Sequence, residues 1–298
     1  MINMKTLPKV LLLLAGLVFF SGNTIYILEA DSKTLEPVVN NTISFDFEHV
    51  KKGPYLNLQA AILVNYDNGE VLYAKNAEKV RAVASLTKLV TAMIVADHKV
   101  PMDSVMEISR EDARNSSKSR LRRGYKLTVK DLLHAALLSS DNRAARALAR
   151  ATSGSYEAFA KEMNLKMKEL GLKKTHFDEP TGLSSNNVST AHEIAKILHY
   201  AYDYDLIKSI TQKKSYKIKI QNKKNKYLNM PNTNRFIYSP YKVLSGKTGY
   251  IQAADYCLTT LLRNKKGEKL TCVVLGVPGD KLRFREARKL VDWGFKQI

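Results

Sequence analysis

Strand-like segments stand at both ends of this 298-residue chain, and helix-like segments fill its middle. Near the start, two short apolar runs flank Asp67-Asn68-Gly69 in LQAAILVNYDNGEVLYAKN, which is a strong signal for a β-hairpin. Near the end, YKVLSGKTGY, YCLTTLLRN and KLTCVVLGV have the composition of further strands. Strands so far apart in sequence must assemble into one antiparallel sheet beside a helical lobe. The pattern therefore predicts an α+β fold, with an antiparallel sheet flanked by helices.

The helices between these strands are marked by apolar periodicity and by capping residues. The segment from Ala84 to about His98 is apolar on most faces, so we expect a helix buried in the core. Thr128 and Thr190 each stand three residues before an acidic residue, which is typical of a helix N-terminus. Further helices are predicted at about 142–151, at about 156–170 and in the closing segment KLRFREARKLVDWGF.

The N-terminus has the pattern of a secretory signal. Lys5 and Lys9 give it a positive start, and Val10 to Phe20 is an unbroken apolar run. The run is shorter than the roughly 20 residues that span a bilayer, but extension to Leu28 also leaves an uncleaved signal-anchor open. We expect export to the periplasm or cell envelope. The predicted organisation is a signal peptide or signal-anchor at 1–30, a tether at 31–56 and one domain at 57–298.

The chain is strongly basic, with 48 Lys and Arg against 28 Asp and Glu, a net charge of +20. Such a surface attracts polyanions, and nucleic acid is the usual first candidate. No zinc-finger, helix-turn-helix or aromatic RNA-binding motif accompanies the charge, and the lysines of TQKKSYKIKIQNKKNK alternate with apolar residues as in exposed strands. We therefore expect no nucleic-acid partner, because an anionic cell-envelope polymer explains the charge more simply.

The cysteines and histidines predict neither a disulfide nor a metal site. Cys257 and Cys272 lie on neighbouring predicted strands, and a hairpin turning at Lys266 offsets them by about three residues, roughly 10 Å. That separation is too large for a disulfide, so both are expected to be small core residues. His192 and His199 lie seven residues apart without an evident third ligand. We interpret them as helix-surface residues and expect no cofactor.

The first candidate site motif is Ser85-Leu86-Thr87-Lys88. Residues three apart on a helix share a face, so the Ser85 hydroxyl and the Lys88 amine are within reach of each other. A lysine among apolar residues loses stability as a cation, and it can then act as a neutral base that takes the serine proton. The spacing alone is equally compatible with an N-cap serine and a surface lysine.

Two further motifs follow along the chain. Ser140-Asp141-Asn142 lies between two predicted helices, where the serine and the asparagine can face one cleft, although such residues are also common at helix boundaries. Lys247-Thr248-Gly249 lies at the end of a predicted strand, where the lysine and threonine can bind a carboxylate and the glycine admits a substrate backbone. Each motif is weak alone. Their order, with separations of 55 and 107 residues, combines the three into one strong signal.

This triple of motifs is the set found in penicillin-binding proteins and class A β-lactamases. More specifically, the chain resembles the low-molecular-mass penicillin-binding proteins of the D-alanyl-D-alanine carboxypeptidase/endopeptidase family, from about Ala60 to Phe295. GEVLYAKN, EPTGLSSNNVSTA at 179–191, NTN at 232–234, SGKTGY at 245–250 and the closing VDWGF share in the resemblance, and SSDNRAARALAR looks most like the endopeptidase-type members. The resemblance implies a β-lactamase/transpeptidase-like fold. It also implies a serine peptidase that acts on peptidoglycan peptides, needs no cofactor and is inhibited covalently by β-lactams.

The same resemblance assigns the catalytic roles. Ser85 attacks the D-alanyl carbonyl and becomes acylated, Lys88 is its base, and Ser140 relays the proton to the leaving amine. Water then hydrolyses the acyl-enzyme.

The substrate-binding roles follow in the same way. Asn142 hydrogen-bonds the substrate peptide, and Lys247 and Thr248, beside Gly249, hold its carboxylate. The oxyanion hole is formed by the backbone N–H groups of Ser85 and Tyr250.

Two positions depart from the family pattern, and three rival functions remain open. Val83 stands where the family usually has proline, and Asp255 stands where glycine is common. A β-lactamase would use Glu179 to clear the acyl group, but EPTGL matches the peptidases rather than the E-x-x-L-N arrangement of those enzymes. A non-hydrolytic penicillin-binding sensor and a transpeptidase would carry the same three motifs. The sequence also does not decide between carboxypeptidase and endopeptidase action.

Overall fold

The computed structural model describes residues 16–21, 24–29, 36–38, 43–114, 116 and 119–298. It divides the chain into two compact units, Met1–Thr42 and Ile43–Ile298. In the first unit, three strands pair antiparallel in the order β1 (Gly16–Ser21), β2 (Thr24–Glu29) and β3 (Glu36–Val38). Part of the predicted signal and part of the predicted tether lie outside the described residues. Within the described ranges, none of the helices has the length and apolar character needed to cross a membrane.

The second unit contains the remaining described strands and helices. Its strands are β4 (Ala60–Asn65), β5 (Val71–Lys75), β6 (Arg81–Ala82), β7 (Val105–Glu107), β8 (Lys126–Thr128), β9 (Val188–Ser189), β10 (Ser215–Lys219), β11 (Tyr227–Pro231), β12 (Lys242–Ile251), β13 (Asp255–Arg263) and β14 (Lys269–Val277). Its helices are α1 (Lys88–Asp97), α2 (Val129–Leu138), α3 (Asn142–Ser153), α4 (Tyr156–Glu169), α5 (Ala191–Asp203), α6 (Asp205–Thr211) and α7 (Asp280–Gly294). Two short 3₁₀ helices cover Ala84–Thr87 and Arg235–Tyr238.

A five-stranded antiparallel sheet joins the two ends of this unit in the order β12-β13-β14-β4-β5. The hairpin β4–β5 turns at Asp67-Asn68-Gly69, as predicted, and it pairs with the last hairpin through β14, where Cys272 lies opposite Leu63. The predicted α+β architecture is therefore confirmed. Because β12 is an outer strand of this sheet, the edge that does not pair with β13 is available to the catalytic region.

The sheet separates two apolar cores. Alternate residues of a strand point to opposite faces, so Ile62 faces the helical lobe while Leu63 faces α7. On the α7 side, Leu290 and Val291 are fully buried against the sheet. Each such side chain contributes about 1.5–3 kcal/mol by leaving water. On the other side, α1 is buried from Lys88 to Val95 and packs against α2, α3, α4 and α5.

The predicted capping residues set the helix starts. The Thr128 hydroxyl accepts a hydrogen bond from the Asp131 N–H, and the Thr190 hydroxyl accepts one from the Glu193 N–H. The Glu193 carboxylate does not complete a reciprocal capping box, since it accepts hydrogen bonds from Lys174 N–H instead. The helix predicted at about 142–151 extends to Ser153, because Gly154 first adopts a positive φ of 78°.

The cysteine prediction is confirmed and one histidine prediction is wrong. Cys257 and Cys272 are both buried free thiols, and Cys272 pairs with Thr260 in the β13–β14 register. His199 is buried rather than on the helix surface, with Nε2 2.7 Å from the Thr271 hydroxyl. The reason is that α5 packs its face directly on β14, and this places the ring inside the core.

Residues 43–56, which fall in the predicted tether, lie along β5 in the structure. The Ile43 N–H donates to the Tyr200 hydroxyl at 3.1 Å, and the Lys51 N–H donates to the Leu72 carbonyl at 3.0 Å. Asp46 forms a β-bridge with Glu70. The segment therefore covers part of the outer edge of β5.

Candidate active site

The candidate nucleophile Ser85 lies in the 3₁₀ turn that leads into α1. Ala84 adopts a left-handed φ of 50° at the start of this turn, a conformation that is costly for a residue with a Cβ. Gly182 lies directly against the turn, where an added Cβ would be 2.0 Å from the Ala84 carbonyl oxygen. Only glycine fits there, so the turn that presents Ser85 is fixed by a neighbouring loop as well as by its own helix.

Lys88 is fully buried one helical turn after Ser85. Its amine nitrogen lies 2.9 Å from Ser85 Oγ, 2.7 Å from Asn142 Oδ1 and 2.6 Å from the Thr181 carbonyl oxygen. Burial lowers the pKa of Lys88 to about 7, since the charged amine loses its hydration, although the carboxylates of Glu179 and Asp141 oppose the shift. The amine can therefore be neutral near neutral pH and accept a proton from the serine.

Ser140 and Asn142 lie at the junction between α2 and α3, as predicted. Ser140 has a left-handed φ of 58°, which ends α2 sharply. Asp141 then caps α3 by accepting hydrogen bonds from the N–H groups of Arg143 and Ala144. This local geometry places Asn142 against Lys88 and turns Ser140 towards β12, so that both side chains reach one cleft.

Lys247 lies on β12 opposite Ser140. Its amine donates to Ser140 Oγ at 2.8 Å and to the Thr248 carbonyl at 2.8 Å, and only 1% of the residue is exposed. Burial holds the pKa of Lys247 well below its ordinary value, and the positive charges of Lys88 and Arg283 act in the same direction. The cleft thus contains two buried lysines, one on each side, each in contact with a serine.

Thr248 and Gly249 continue the outer strand past the nucleophile. The Thr248 hydroxyl is 2.7 Å from the hydroxyl of Thr233, which belongs to the NTN segment at 232–234. A Cβ on Gly249 would lie 3.0 Å from the Ser85 backbone nitrogen, so the glycine allows the strand to pass this close. The strand edge and the Ser85 turn therefore meet at the point where a substrate carbonyl would be attacked.

Arg283, from α7, fixes the peptide group that joins Gly249 to Tyr250. Its Nη1 donates to the Gly249 carbonyl at 2.9 Å and to the Cys257 carbonyl at 3.1 Å. In a planar trans peptide the C=O and N–H groups point in opposite directions. The Tyr250 N–H therefore points away from Arg283, to the other side of the strand.

The loop that carries Glu179 supports the cleft from behind. The Glu179 carboxylate accepts hydrogen bonds from the N–H groups of Thr181, Gly182 and Leu183 at 2.6–2.7 Å. It also accepts one from the Thr181 hydroxyl at 2.6 Å. A carboxylate held by this many donors serves as the centre of a loop, not as a free base for water. This arrangement is the physical argument against a β-lactamase.

The predicted site residues meet in this cleft, and within the described part of the chain three residues outside the predicted motifs share a side-chain hydrogen bond with them. They are Thr181, Thr233 and Arg283. The first two lie within segments that already carried the family resemblance, so a signal for them was present. For Arg283 no signal was available, because an arginine on an amphipathic closing helix is ordinary at the surface.

Among the residues that the structure describes, one trio away from the cleft has the donor types of a metal site. The ligand atoms of Asp46, Glu48 and His49 lie within 4.8 Å of one another. All three residues are exposed, and exposed acidic groups commonly lie this close without a metal. They belong to the segment along β5 and make no contact with the residues of the cleft.

Known proteins match this chain over most of its length. The family profile described as D-alanyl-D-alanine carboxypeptidase matches residues 48–279. The D-alanyl-D-alanine endopeptidase of Escherichia coli (strain K12) is 36% identical over 80% of this chain and 78% of its own. The corresponding Pseudomonas aeruginosa protein is 37% identical over 78% of this chain and 76% of its own. The D-alanyl-D-alanine carboxypeptidase DacF of Bacillus subtilis is 35% identical, with 80% of this chain and 62% of that protein covered.

Solved structures show the same fold. The crystal structure of the Streptomyces K15 DD-transpeptidase superimposes with a TM-score of 0.76 at 27% identity, covering 83% of this chain and all of that one. Penicillin-binding protein D2 from Listeria monocytogenes, in its cefotaxime-bound form, gives a TM-score of 0.72 at 28% identity and covers 82% of this chain. The predicted transpeptidase-like fold is confirmed. The chain belongs to the D-alanyl-D-alanine carboxypeptidase family.

Proposed function

We propose that this protein is an exported serine-type D-alanyl-D-alanine endopeptidase that opens cross-links between peptidoglycan stem peptides. The family membership shows a D-alanyl-D-alanine peptidase, and the preference for cross-links over terminal residues is what we propose in addition. Two relatives named endopeptidases support this preference; they are 36% and 37% identical and are covered over 78% and 76% of their lengths. One observation supports the chemistry most directly: a buried Lys88 amine 2.9 Å from Ser85 Oγ.

Acylation begins with the transfer of the Ser85 proton to neutral Lys88. Ser85 Oγ forms a bond with the carbonyl carbon of the D-alanyl residue, and the tetrahedral oxyanion accepts hydrogen bonds from the N–H groups of Ser85 and Tyr250. The C–N bond then breaks. Ser140, 2.8 Å from Lys247, relays the proton that Lys88 accepted to the leaving amine, and this returns Lys88 to its neutral form. The products of this half-reaction are the acyl-enzyme on Ser85 and the free amine.

Substrate binding uses the outer edge of β12 and the Asn142 amide. The Asn142 oxygen is held by Lys88, so its amide nitrogen is available to donate to a substrate carbonyl. Lys247 and the Thr248 hydroxyl bind the carboxylate next to the scissile bond. An arriving carboxylate raises the pKa of Lys247 again, because an opposite charge at close range favours the ammonium.

Deacylation uses water, with Lys88 again as the base. Glu179 takes no part, since its oxygens are engaged by the loop around it. A β-lactam acylates Ser85 by the same step. Its acyl-enzyme is hydrolysed slowly because Glu179 does not activate water, so the β-lactam is a covalent inhibitor.

Export is proposed from the N-terminal sequence. Lys5 and Lys9 before the apolar run Val10 to Phe20 support a Sec-type signal. The net charge of +20 suits an envelope rich in anionic polymers.

The test is mass spectrometry of purified cross-linked muropeptides after incubation with the protein, with Ser85→Ala as the matched control. We expect dimers to be split into monomers, and the variant to leave them intact. Release of terminal D-alanine from pentapeptides without splitting of dimers would replace the endopeptidase by a carboxypeptidase. Labelling of Ser85 by penicillin without turnover of either peptide would instead indicate a sensor.

A further inference from the structure

The positive charge of this chain is concentrated in two segments. Residues 206–254 contain eleven Lys and Arg but no Asp or Glu, and residues 113–130 contain seven but again no acidic residue. Almost the whole net charge of +20 therefore belongs to these two segments. The catalytic cleft uses one of their basic residues, Lys247, and the mechanism leaves the others without a role.

The first segment contains the hairpin of β10 and β11, whose two faces differ. Ile218 and Met230 are fully buried, and both strands pack against α2. Alternate residues of a strand point to opposite sides, so the positions between these two form an outer face. Four lysines are exposed on this face and in the turn that follows β10, namely Lys217, Lys219, Lys223 and Lys224.

The second segment is attached to the turn of this hairpin. The Asn222 amide nitrogen in the turn donates to the Gly124 carbonyl at 2.8 Å. Gly124 belongs to loop 119–125, and the two residues before it, Arg122 and Arg123, are both exposed. The arginines of the loop and the lysines of the hairpin therefore meet at one place on the molecule.

We name these residues the basic surface: Lys217, Lys219, Lys223, Lys224, Arg122 and Arg123. Within the part of the chain that the structure describes, none of the six forms an ion pair with a carboxylate. The Lys217 amine lies 4.7 Å from the centre of the Tyr227 ring, and Tyr227 is 46% exposed. Unneutralised basic side chains are attracted to anionic lipid, and an exposed tyrosine among them suits the headgroup level of a bilayer.

We propose that the basic surface binds the face of a lipid bilayer that contains anionic phospholipids. Besides Lys217, Lys219 and Tyr227, the outer face of the hairpin carries Ser215 and Asn229, so it has no aliphatic side chain to bury among acyl chains. The hairpin therefore lies on the headgroups and is held there by charge. This contact goes beyond the peptidase chemistry and determines where in the envelope that chemistry takes place.

The far end of the hairpin adjoins the catalytic cleft. Ser139 Oγ donates at 2.9 Å to the carbonyl of Pro231, the last residue of β11, and Ser140 follows directly in the chain. Along β11, Tyr227 and Pro231 are separated by roughly 13 Å at ordinary strand spacing. A bilayer on the basic surface therefore lies close to the cleft, and the bound protein acts on peptides near the membrane.

The experiment measures cosedimentation of the purified full-length protein with two kinds of vesicle, phosphatidylcholine alone and phosphatidylcholine mixed with phosphatidylglycerol. We expect binding to the anionic vesicles to be about 100-fold tighter at about 0.1 M salt. The difference should disappear at about 1 M salt, because the Debye length falls from about 10 Å to about 3 Å. The apolar N-terminal run contributes to both vesicle types alike, so the ratio of the two affinities isolates the effect of charge.

Replacement of all four hairpin lysines by glutamine should remove most of this ratio, since each basic side chain near an anionic bilayer contributes about fivefold. The pair in the turn, Lys223→Gln with Lys224→Gln, should by itself lower the ratio about 25-fold. The matched control removes four other exposed lysines and should leave the ratio nearly unchanged: Lys161→Gln, Lys168→Gln, Lys173→Gln and Lys265→Gln. Acylation of Ser85 by benzylpenicillin should match the wild type in every variant, which verifies the fold and the cleft.

Three outcomes would overturn the proposal without touching the peptidase function. The first is equal binding of the wild type to the two kinds of vesicle. The second is an equal loss in the hairpin variant and the control variant, which would show that net charge acts without a defined surface. The third is binding to soluble polyphosphate that requires the four hairpin lysines, with no binding to anionic vesicles, which would replace the bilayer by a soluble polyanion.

Discussion

The Lys88 amine nitrogen lies 2.9 Å from the Ser85 hydroxyl oxygen while two carbonyl-type oxygens, from Asn142 and Thr181, lie closer still. A neutral amine has two N–H donors and one lone pair. If the two nearer oxygens take the two donors, the lone pair is directed at Ser85. The geometry therefore orients the base for its task before substrate binds.

Acylation should depend on pH through Lys88. Burial lowers its pKa to about 7, so below that pH the amine is an ammonium that cannot accept the Ser85 proton, and above it the amine is neutral. The rate constant for acylation by benzylpenicillin should rise with pH through about 7 and then level. Lys88→Arg stays protonated and should lower the rate by about 10²–10⁴-fold. A flat profile between about pH 5 and about pH 9 would contradict this role for Lys88.

Glu179→Gln should reduce stability and leave deacylation unchanged. The substitution removes the charge that gathers the N–H groups of Thr181, Gly182 and Leu183, at a cost of about 2 kcal/mol. Thermal unfolding followed by circular dichroism measures the loss, and Glu169→Gln, at an exposed glutamate at the end of α4, is the control. Accumulation of acyl-enzyme in the Glu179 variant would show instead that this residue activates water.

Thr248→Val should weaken recognition of the substrate carboxylate. We expect KM to rise about tenfold for a peptide with a free C-terminal carboxylate and to change little for its C-terminal amide. Thr233→Val is the matched control, because it removes the hydroxyl 2.7 Å from Thr248 without removing the carboxylate contact. Equal effects of Thr248→Val on the two peptides would rule out carboxylate binding by this hydroxyl.

Arg283 should act as a positioning residue through the Gly249–Tyr250 peptide group. Arg283→Leu removes the donor that orients the Gly249 carbonyl, so the Tyr250 N–H loses its fixed direction, and kcat should fall about tenfold to 100-fold with a smaller change in KM. Arg283→Lys should restore part of kcat. A purely structural role would lower the melting temperature of both variants while kcat of the folded fraction stayed at the wild-type value.

Asp255→Gly should stabilise the protein. Asp255, the first residue of β13, has a left-handed φ of 54°, the conformation that glycine adopts without a steric penalty. The expected gain is about 1 kcal/mol, seen as a higher melting temperature. Asp255→Asn, which also tolerates this conformation, should gain less. A lower melting temperature in the glycine variant would mean that the aspartate side chain contributes more than the strain costs.

Local chemistry made much of the fold predictable. The Asp67-Asn68-Gly69 turn and the caps Thr128 and Thr190 involve residues only three or four positions apart. These local interactions can therefore be recognised from the sequence alone. The three catalytic motifs were recognisable for a related reason. Each is compact, and the chain order of the three is restrictive.

Tertiary contacts made the rest unpredictable. His199 occupies an unremarkable helical position, and only the packing of α5 on β14 shows that it is buried. Arg283 reaches Gly249 across 34 residues of sequence, and nothing local distinguishes it from the other arginines of α7. Residues 43–56 follow β5 through hydrogen bonds such as that from the Lys51 N–H to the Leu72 carbonyl, and their mixture of polar and apolar residues does not reveal this course.

The two unpaired thiols in the sheet make this protein independent of oxidative folding. Burial raises the pKa of Cys257 to about 11 and that of Cys272 to about 12, so neither presents a reactive thiolate while the sheet is intact. A reducing buffer should leave activity untouched, and no disulfide-forming enzyme is needed for maturation. The same thiols become accessible only when β13 and β14 separate. The rate of their alkylation therefore measures how often these two strands, which lie next to β12, open.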